Sequence, residues 1–388
     1  MNILKGIGIR SRRKVIGILS GTSVDAVDIV LTEISNSGIN SGIKILKFGS
    51  FPYKRDLKKL ILKCSAENSG TVSDICKLNF ILGRLFALTI KEFLKKYKIS
   101  PKTIDLIGSH GQTIYHYPSN KNLSGYNSRS TLQIGDPSVI ANLTGITTVG
   151  DFRTADAAVN GDGAPLAPYL DYIIGRKINR NSVFLNIGGI SNITFIKKNC
   201  RPDEVKAFDT GPGNILLDII AAKYFGKKFD KDGKTALKGK LNTDLFNNIL
   251  KKDNFVKKKP PKSTGREYYN EKFIKEIIRN KNYDPYELMA TFNYFTAYAV
   301  FSNIKKFGTE NIFVSGGGSK NTALMNNLRT LMPGVNVSSL NTDGINSSNK
   351  EAVLFALLAN EIISGNKANM PSVTGSDKNV FLGKICLA

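Results

Sequence analysis

Asp25 and Asp28 follow Gly21-Thr22-Ser23 at the end of a short apolar run, and the pairing of carboxylates with small residues is the first sign of chemistry in the chain. A turn of Gly, Ser and Thr lets backbone N–H groups and hydroxyls converge on a tetrahedral anion with no side chain in the way. A carboxylate beside an anion is tolerable once a cation sits between them. Gly21, Thr22, Ser23, Val24, Asp25, Ala26, Val27 and Asp28 therefore read together as a phosphate grip with a divalent ion at its edge. Residues 183–197 repeat the plan, with Asn186, Gly188 and Gly189 between two strand-like runs. Either hairpin alone reads as readily as a tight sheet turn; the two together predict a duplicated nucleotide-binding fold that grips a polyphosphate from both sides.

The elements that must carry these turns alternate. Apolar runs at 15–19, 26–34, 103–108, 146–149, 205–208 and 312–315 read as strands. Residues 56–64, 73–97, 137–143, 215–225, 284–307, 321–331 and 350–363 read as helices, and this alternation predicts an α/β architecture. The strand at 103–108 delivers Ser109-His110-Gly111-Gln112-Thr113, and the polar stretch 117–130 reads as a loop. Residues 151–168, rich in Gly, Asp and Ala, cannot pack as a core and form either a connector or a binding loop. The strand at 205–208 runs into Asp209-Thr210-Gly211, and that at 312–315 into Gly316-Gly317-Gly318. The lysine-rich stretch 251–261 reads as a mobile excursion.

At 388 residues the chain exceeds one ordinary core and fits two domains. We place them at 1–178 and 179–388, with the C-terminal segment free to return to the first. The formal charge of +24 would suit nucleic acid, a membrane or a polyanionic substrate. The lysines, however, are spread along the chain among abundant Ile and Asn, without an aromatic–basic stripe. The charge reads first as compositional bias, second as help for anionic ligands, and neither nucleic acid nor membrane is expected as a partner. Cys64, Cys76, Cys200 and Cys386 share no metal-ligand spacing and read as reduced thiols, consistent with a cytoplasmic location. Arg10, Arg12, Arg13 and Lys14 precede an apolar run too short for a secretory leader. Gly233-Lys234-Thr235 lacks the spacing of a P-loop, and Asp230-Lys231-Asp232-Gly233 lacks the closing carboxylate of a calcium loop; both read as surface turns.

The ordered motifs Ser20–Asp28, Ser109–Thr113, Gln133-Ile134-Gly135-Asp136, Asp151-Phe152-Arg153 with Asp156, Gly163-Ala164-Pro165-Leu166, Asn186–Asn192, Phe208–Asn214, Pro260–Glu267, Gly316–Gly318, Lys350-Glu351-Ala352 and Pro371–Gly375 run nearly end to end. In these the chain resembles the anhydro-N-acetylmuramic acid kinase family, which also includes levoglucosan kinases. The resemblance implies the sugar kinase, Hsp70 and actin superfamily: two duplicated actin-like (ribonuclease H-like) ATPase domains around a central cleft, requiring ATP and Mg2+. It implies an unusual reaction, hydrolysis of the 1,6-anhydro bridge of 1,6-anhydro-N-acetylmuramic acid while the released O6 takes the γ-phosphoryl group, giving N-acetylmuramic acid 6-phosphate and ADP.

By the same resemblance Asp156 is the base that activates water, and Asp25 and Glu351 are the magnesium-side carboxylates. Gly21 to Asp28 with Asn186, Gly188 and Gly189 would hold phosphates, Gly316, Gly317 and Gly318 would admit adenosine, and Asp209 and Gly211 would face the nucleotide. His110, Gln112, Gly163, Ala164 and Pro165 would face the sugar. Each has a plainer reading: Asp156 as an Asx-type loop anchor, Glu351 as a helix first-turn charge, His110 as a buried histidine satisfied by backbone, the glycine triplet as a strand-to-helix turn. The family usually carries Gly-Gly-Gln-Gly where this chain has Asn160-Gly161-Asp162-Gly163, so Asp162 adds negative charge beside the sugar loop. A neutral anhydrosugar such as levoglucosan is the alternative substrate, and a non-catalytic actin-like or Hsp70-like module the alternative class. A homodimer is compatible with the reading.

Overall fold

In the computed structural model, which describes residues 2–67, 69–279 and 281–388, the chain divides into two compact units, Met1–Ile173 with Thr342–Ala388 and Ile174–Asn341. In chain order the first unit holds α1 (Asn2–Gly8), β1 (Arg12–Ser20), β2 (Ala26–Ser35), β3 (Gly42–Pro52), α2 (Arg55–Ser65), α3 (Val72–Lys96), β4 (Leu106–Leu123), β5 (Tyr126–Ile134), α4 (Pro137–Thr144), β6 (Thr148–Gly150) and α5 (Thr154–Ala157). After α6 (Ala167–Ile178) the second unit holds β7 (Ser182–Ile187), β8 (Ile190–Ile196), β9 (Lys206–Pro212), α7 (Ile215–Phe225), α8 (Thr243–Lys252), α9 (Glu271–Ile278), α10 (Pro285–Ile304), β10 (Asn311–Ser315), α11 (Thr322–Leu331) and β11 (Asn336–Ser339). The chain ends with α12 (Lys350–Ile363), α13 (Pro371–Thr374) and β12 (Lys384–Cys386), which fold with the first unit.

The two sheets share one plan. In the first, the order β3-β2-β1-β4-β6 continues to β12, with β1/β2 and β2/β3 antiparallel and β1/β4 and β4/β6 parallel. In the second, β9-β8-β7-β10-β11 repeats this: a three-stranded antiparallel meander, then two parallel strands. The duplication expected from the two glycine hairpins is thus present in topology, each hairpin joining the first two strands of its sheet. Parallel strands covered on both faces need near-continuous apolar runs, and Val15, Ile16, Ile18 and Leu19 of β1 are all buried.

One face of the first sheet is closed by α3, whose Leu78, Leu82, Phe86, Ile90 and Phe93 meet Ile16, Ile18, Ile29 and Ile107. Its start is set by a capping box between Thr71 and Asp74. The other face takes α12, apolar on nearly every side and buried accordingly. Two glycines let it lie against the strand backbones. They are register partners on β1 and β4. A Cβ on Gly17 would sit 1.9 Å from the Ala352 carbonyl oxygen, and one on Gly108 2.0 Å from that of Phe355. In the second unit, α10 starts at Asp284, whose carboxylate accepts from the Tyr286 and Glu287 amides, with Pro285 in the first turn.

Two expectations differ, and several elements, β3, α8 and α9 among them, had no assignment from sequence. Residues 117–130 are no loop: β4 runs on to Leu123 and returns as β5 through Ser124 and Gly125, both at positive φ. Ladder hydrogen bonds serve polar and apolar strands alike, and the primed turn suits a twisted hairpin. The stretch 251–261 is anchored rather than wholly an excursion, since Phe255 and Val256 enter the core of the second unit and the buried carboxylate of Asp253 accepts from the Val256 amide and the Tyr269 hydroxyl. Residues 2–8, unassigned from sequence, form α1, whose C-terminal carbonyls of Ile7 and Gly8 are taken by the buried Arg13 guanidinium. The turn at 230–236 is closed by Asp230, which accepts from the Thr235 and Ala236 amides, so it is a local turn and no cation loop.

Candidate active site

Within the first unit the chemistry-bearing residues gather where β1, β4 and β6 end, the carboxyl edge at which open α/β sheets bind ligands. The turn after β1 is shaped by Val24, a buried β-branched residue at φ 51. Such a conformation costs on the order of 1–3 kcal/mol and persists where the surroundings over-determine it. The Val24 amide donates to the Gly21 carbonyl at 3.0 Å, and a Cβ on Gly21 would meet nothing within 4 Å. Ser20 donates to the buried Gln112, accepts from Tyr53 Oη at 2.8 Å, and so joins the end of β1 to the bulged edge of β4. Gln112 therefore braces the turn.

His110 is buried, and its Nε2 accepts from Arg153 Nε at 3.1 Å and lies 3.0 Å from Nη2. Because a guanidinium only donates, the ring is neutral with its proton on Nδ1, which faces the Gly111 carbonyl at 3.1 Å. Burial, then the Arg153 charge, pushes the imidazole down to about 3. His110 thus aims Arg153 and carries no labile proton near neutral pH. Arg153 Nη1 also donates to the Gly163 carbonyl at 2.9 Å. Burial draws the guanidinium down to about 10, against the pull of Glu351. His110 and Gln133 further border a recess of about 400 Å³ walled also by Ser109, Asp136, Asp151 and Lys384.

Asp156 lies fully buried on α5, the single helical turn after β6. Its Oδ2 accepts from the Gly163 amide at 2.9 Å, and its Oδ1 accepts from Asn369 Nδ2 and Thr374 Oγ1, each at 2.9 Å. The carboxylate packs so closely that a Cβ on Gly161 would fall 2.1 Å from Oδ2, which is why glycine stands there. A carboxylate has about four acceptor positions, so one on Oδ2 is left after these three donors. Asn369 and Thr374 were not assigned roles from sequence. Thr374 belongs to the Pro371–Gly375 motif, and that motif was the available signal.

Glu351 opens α12 and is solvent-accessible. Crowding by the surrounding protein pushes its carboxyl up, Lys350 and Arg153 oppose this, and Asp28 reinforces it. Asp28, on β2, is likewise pushed up by burial against a hydrogen bond from Ser50, its cross-strand partner. Lys350 is itself buried in an ion pair with Asp171 at 2.6 Å. Asp25 is different: exposed, with its carboxylate 2.5 Å from Lys58 Nζ. The Asp28 charge therefore bears on Glu351. Asp162 does not present a bare charge, because Arg129 pairs with it at 2.7 Å. Ala164 and Pro165 follow Gly163 through a cis peptide.

In the second unit the turn at Gly188 and Gly189 is capped by the start of α7: the amides of Gly213, Asn214 and Ile215 donate to the carbonyls of Gly189, Gly188 and Gly189 respectively. Gly316, at φ 78, approaches the end of β7 so closely that a Cβ would lie 2.6 Å from the Ile187 oxygen and 2.7 Å from Asn186 Oδ1. Gly318 has an internal reason too, since a Cβ there would strike Ile187 at 2.3 Å. Gly317 alone of the three is exposed, with only Asn214 Nδ2 within 4 Å of a Cβ. Asp209 accepts from Ser263 Oγ at 3.1 Å and from the Thr264 amide at 2.9 Å. Lys262 Nζ donates to the Val256 carbonyl at 3.0 Å and lies 4.7 Å from the Phe255 ring, and burial lowers it to about 8. Gly211 sits in β9 with its α-carbon facing Ala299.

A twofold α/β sheet plan with glycine turns at equivalent strand ends and carboxylates gathered at one of them defines a duplicated nucleotide-binding fold of the phosphotransferase kind. The family model for anhydro-N-acetylmuramic acid kinase matches residues 13–388. The chain is 43% identical over 388 residues to the anhydro-N-acetylmuramic acid kinase of Caldanaerobacter subterraneus subsp. tengcongensis, covering 97% of this chain and 98% of that one. It is 39% identical to that of Clostridioides difficile over 378 residues, 95% and 97% of the two chains. The chain belongs to the anhydro-N-acetylmuramic acid kinase family.

Proposed function

We propose that the chain is an ATP-dependent kinase that opens the 1,6-anhydro bridge of 1,6-anhydro-N-acetylmuramic acid with water and transfers the γ-phosphoryl group to the freed O6. Family membership along the whole chain supports the reaction class. The observation that carries the site is the linked set Asp156–Gly163–Arg153–His110 at the sheet's carboxyl edge, joined electrostatically to Glu351. Asp162 held by Arg129 leaves the sugar loop without the uncompensated charge that would disfavour an acidic sugar.

In this reading Asp156 takes the proton of the attacking water through its remaining acceptor position, while Gly163, Asn369 and Thr374 hold it in one orientation. Arg153, aimed by His110, directs the N–H groups left over from those bonds at charge developing on the sugar or phosphate oxygens. Within the first unit the turn at Gly21 leaves room for the ATP phosphates, since a Cβ there would meet nothing within 4 Å. Asp28, whose charge helps to raise the Glu351 carboxyl, and Glu351 would supply oxygen donors to a divalent cation. Magnesium held there would neutralise phosphate charge. One observation favours a second assignment of the base. Asp156 is wholly buried, whereas Glu351 is accessible and the surrounding protein raises its carboxyl. ATP use and reduced cysteines at 64, 76, 200 and 386 accord with a cytoplasmic enzyme.

The test is ADP release with 1,6-anhydro-N-acetylmuramic acid, levoglucosan and no sugar. The proposal expects turnover dependent on the first. Equal turnover without sugar would make the chain an ATPase, and preference for levoglucosan would transfer it to the neutral substrate.

A further inference from the structure

Arg129 projects from β5, in the hairpin that sequence alone reads as a loop. Its Nη1 donates both to the Asn160 carbonyl at 2.6 Å and to Asp162 Oδ1 at 2.7 Å, and its Nε is buried. The guanidinium is therefore partly enclosed and bound at two points of one turn, unlike a surface ion pair whose side chains remain free. On its other side the same turn is tied to the C-terminal segment: the Asp162 amide donates to the Thr374 carbonyl at 2.8 Å, Asn160 Nδ2 to Asp377 Oδ2 at 2.6 Å, and the Asp377 amide to the Val159 carbonyl at 2.9 Å. One residue beyond Asp162, the Gly163 peptide holds Asp156 with its N–H and Arg153 with its carbonyl.

We propose that Arg129 and Asp162 are a positioning pair: the guanidinium fixes the Asn160–Asp162 turn against the β4–β5 hairpin and so sets the Gly163 peptide that orients Asp156 and Arg153. Neither side chain is a reacting group. A neutral amide at the position of Asp162 would accept a hydrogen bond but supply no charge to hold a guanidinium. Aspartate makes the bond charge-assisted, hence shorter and stronger. The chain thereby uses a residue that looks adverse to an acidic substrate as half of a brace. The hairpin, in which Gln133 Nε2 of β5 donates to Thr131 Oγ1 and across to Thr113 Oγ1 of β4, supplies the backing for it.

This inference rests on the kinase reading, and its test separates the two. Arg129→Ala, Asp162→Asn, the double variant and Asp162→Glu would be assayed for anhydrosugar-dependent ADP release, with amide exchange at Gly163 followed by hydrogen–deuterium exchange in the same proteins. Small displacements of an oriented group cost up to about 100-fold. We expect kcat about tenfold lower in Arg129→Ala with KM for ATP within about twofold, a double variant no worse than the poorer single one, and substantial recovery in Asp162→Glu relative to Asp162→Asn. Unchanged kcat in Arg129→Ala, or losses that multiply in the double variant, would overturn the pairing. If the wild-type chain shows no anhydrosugar-dependent turnover, the kinase reading fails, and exchange at Gly163 decides the brace alone. Protection about tenfold lower in Arg129→Ala supports it, and unchanged protection refutes it.

Discussion

Replacing Asp156 by Asn separates a base from a loop anchor, because the structure assigns it work of both kinds. With the amide oxygen at the Oδ1 position, the bonds from Asn369 and Thr374 survive, and the new NH2 group faces the Gly163 amide, donor against donor. A buried donor left without an acceptor costs about 1–3 kcal/mol. That penalty alone predicts a lower melting temperature and a modest loss of activity. Loss of a general base adds roughly 10²- to 10⁴-fold in kcat. We therefore expect Asp156→Asn to bind ATP nearly as the parent does, to melt a few degrees lower, and to lose at least 100-fold in kcat at saturating sugar. The assay is steady-state ADP release, with ATP binding by calorimetry and unfolding by scanning fluorimetry on the same preparation. A kcat within a few-fold of the parent, with the melting temperature still reduced, would refute the assignment. Glu351→Gln would then be expected to show the large loss.

Gly108→Ala should push α12 from the sheet, since the methyl group would need the space of the Phe355 carbonyl. Overpacking of this kind costs about 1–3 kcal/mol, and thermal unfolding with kcat should both fall; an unshifted melting curve would show that the contact yields freely. His110 predicts a pH effect: its folded pKa of about 3 lies below the ordinary 6.5, so the unfolded chain binds more protons between these values. Stability is then full above pH 6.5 and declines as pH falls through that window, by up to about 1.4 kcal/mol per unit. His110→Gln should flatten the melting temperature between pH 6.5 and 5, and an unaltered slope counts against the neutral buried ring. For magnesium, Asp28→Ala and Glu351→Ala should raise the concentration giving half-maximal turnover more than Asp25→Ala does, because Asp25 is already paired with Lys58. Equal requirements in all three would remove these carboxylates from the cation.

The two glycine hairpins were legible because β1, β2, β7 and β8 are largely apolar and flank glycine turns, and α7, α11 and α12 begin and end close to where periodicity placed them, whereas β3, which completes the first meander, was not assigned from sequence. The β4–β5 hairpin was not, since residues 117–130 are polar throughout and become strand only through pairing with each other. Gly17 and Gly108 stand inside strands, a local sign of close backbone approach, yet only the packed structure names α12 as the partner. At the site, Asp156, His110 and Glu351 could be singled out by resemblance. Arg153 and Thr374 stood within motifs, but which residues they serve was not legible, because Arg153, Asn369 and Thr374 reach them across 43 to 218 residues of chain. Asp162 read as an adverse charge for the same reason: Arg129, which neutralises it, lies on the unrecognised hairpin.

The central claim is that water opens the anhydro bridge in the same event that phosphorylates O6, with the γ-phosphate itself shielded from solvent. Turnover of 1,6-anhydro-N-acetylmuramic acid in ¹⁸O-labelled water, read by mass spectrometry before anomeric exchange, tests it most directly. Label is expected at C1 of the sugar and not in the transferred phosphate. Unlabelled sugar with label in free phosphate would contradict it.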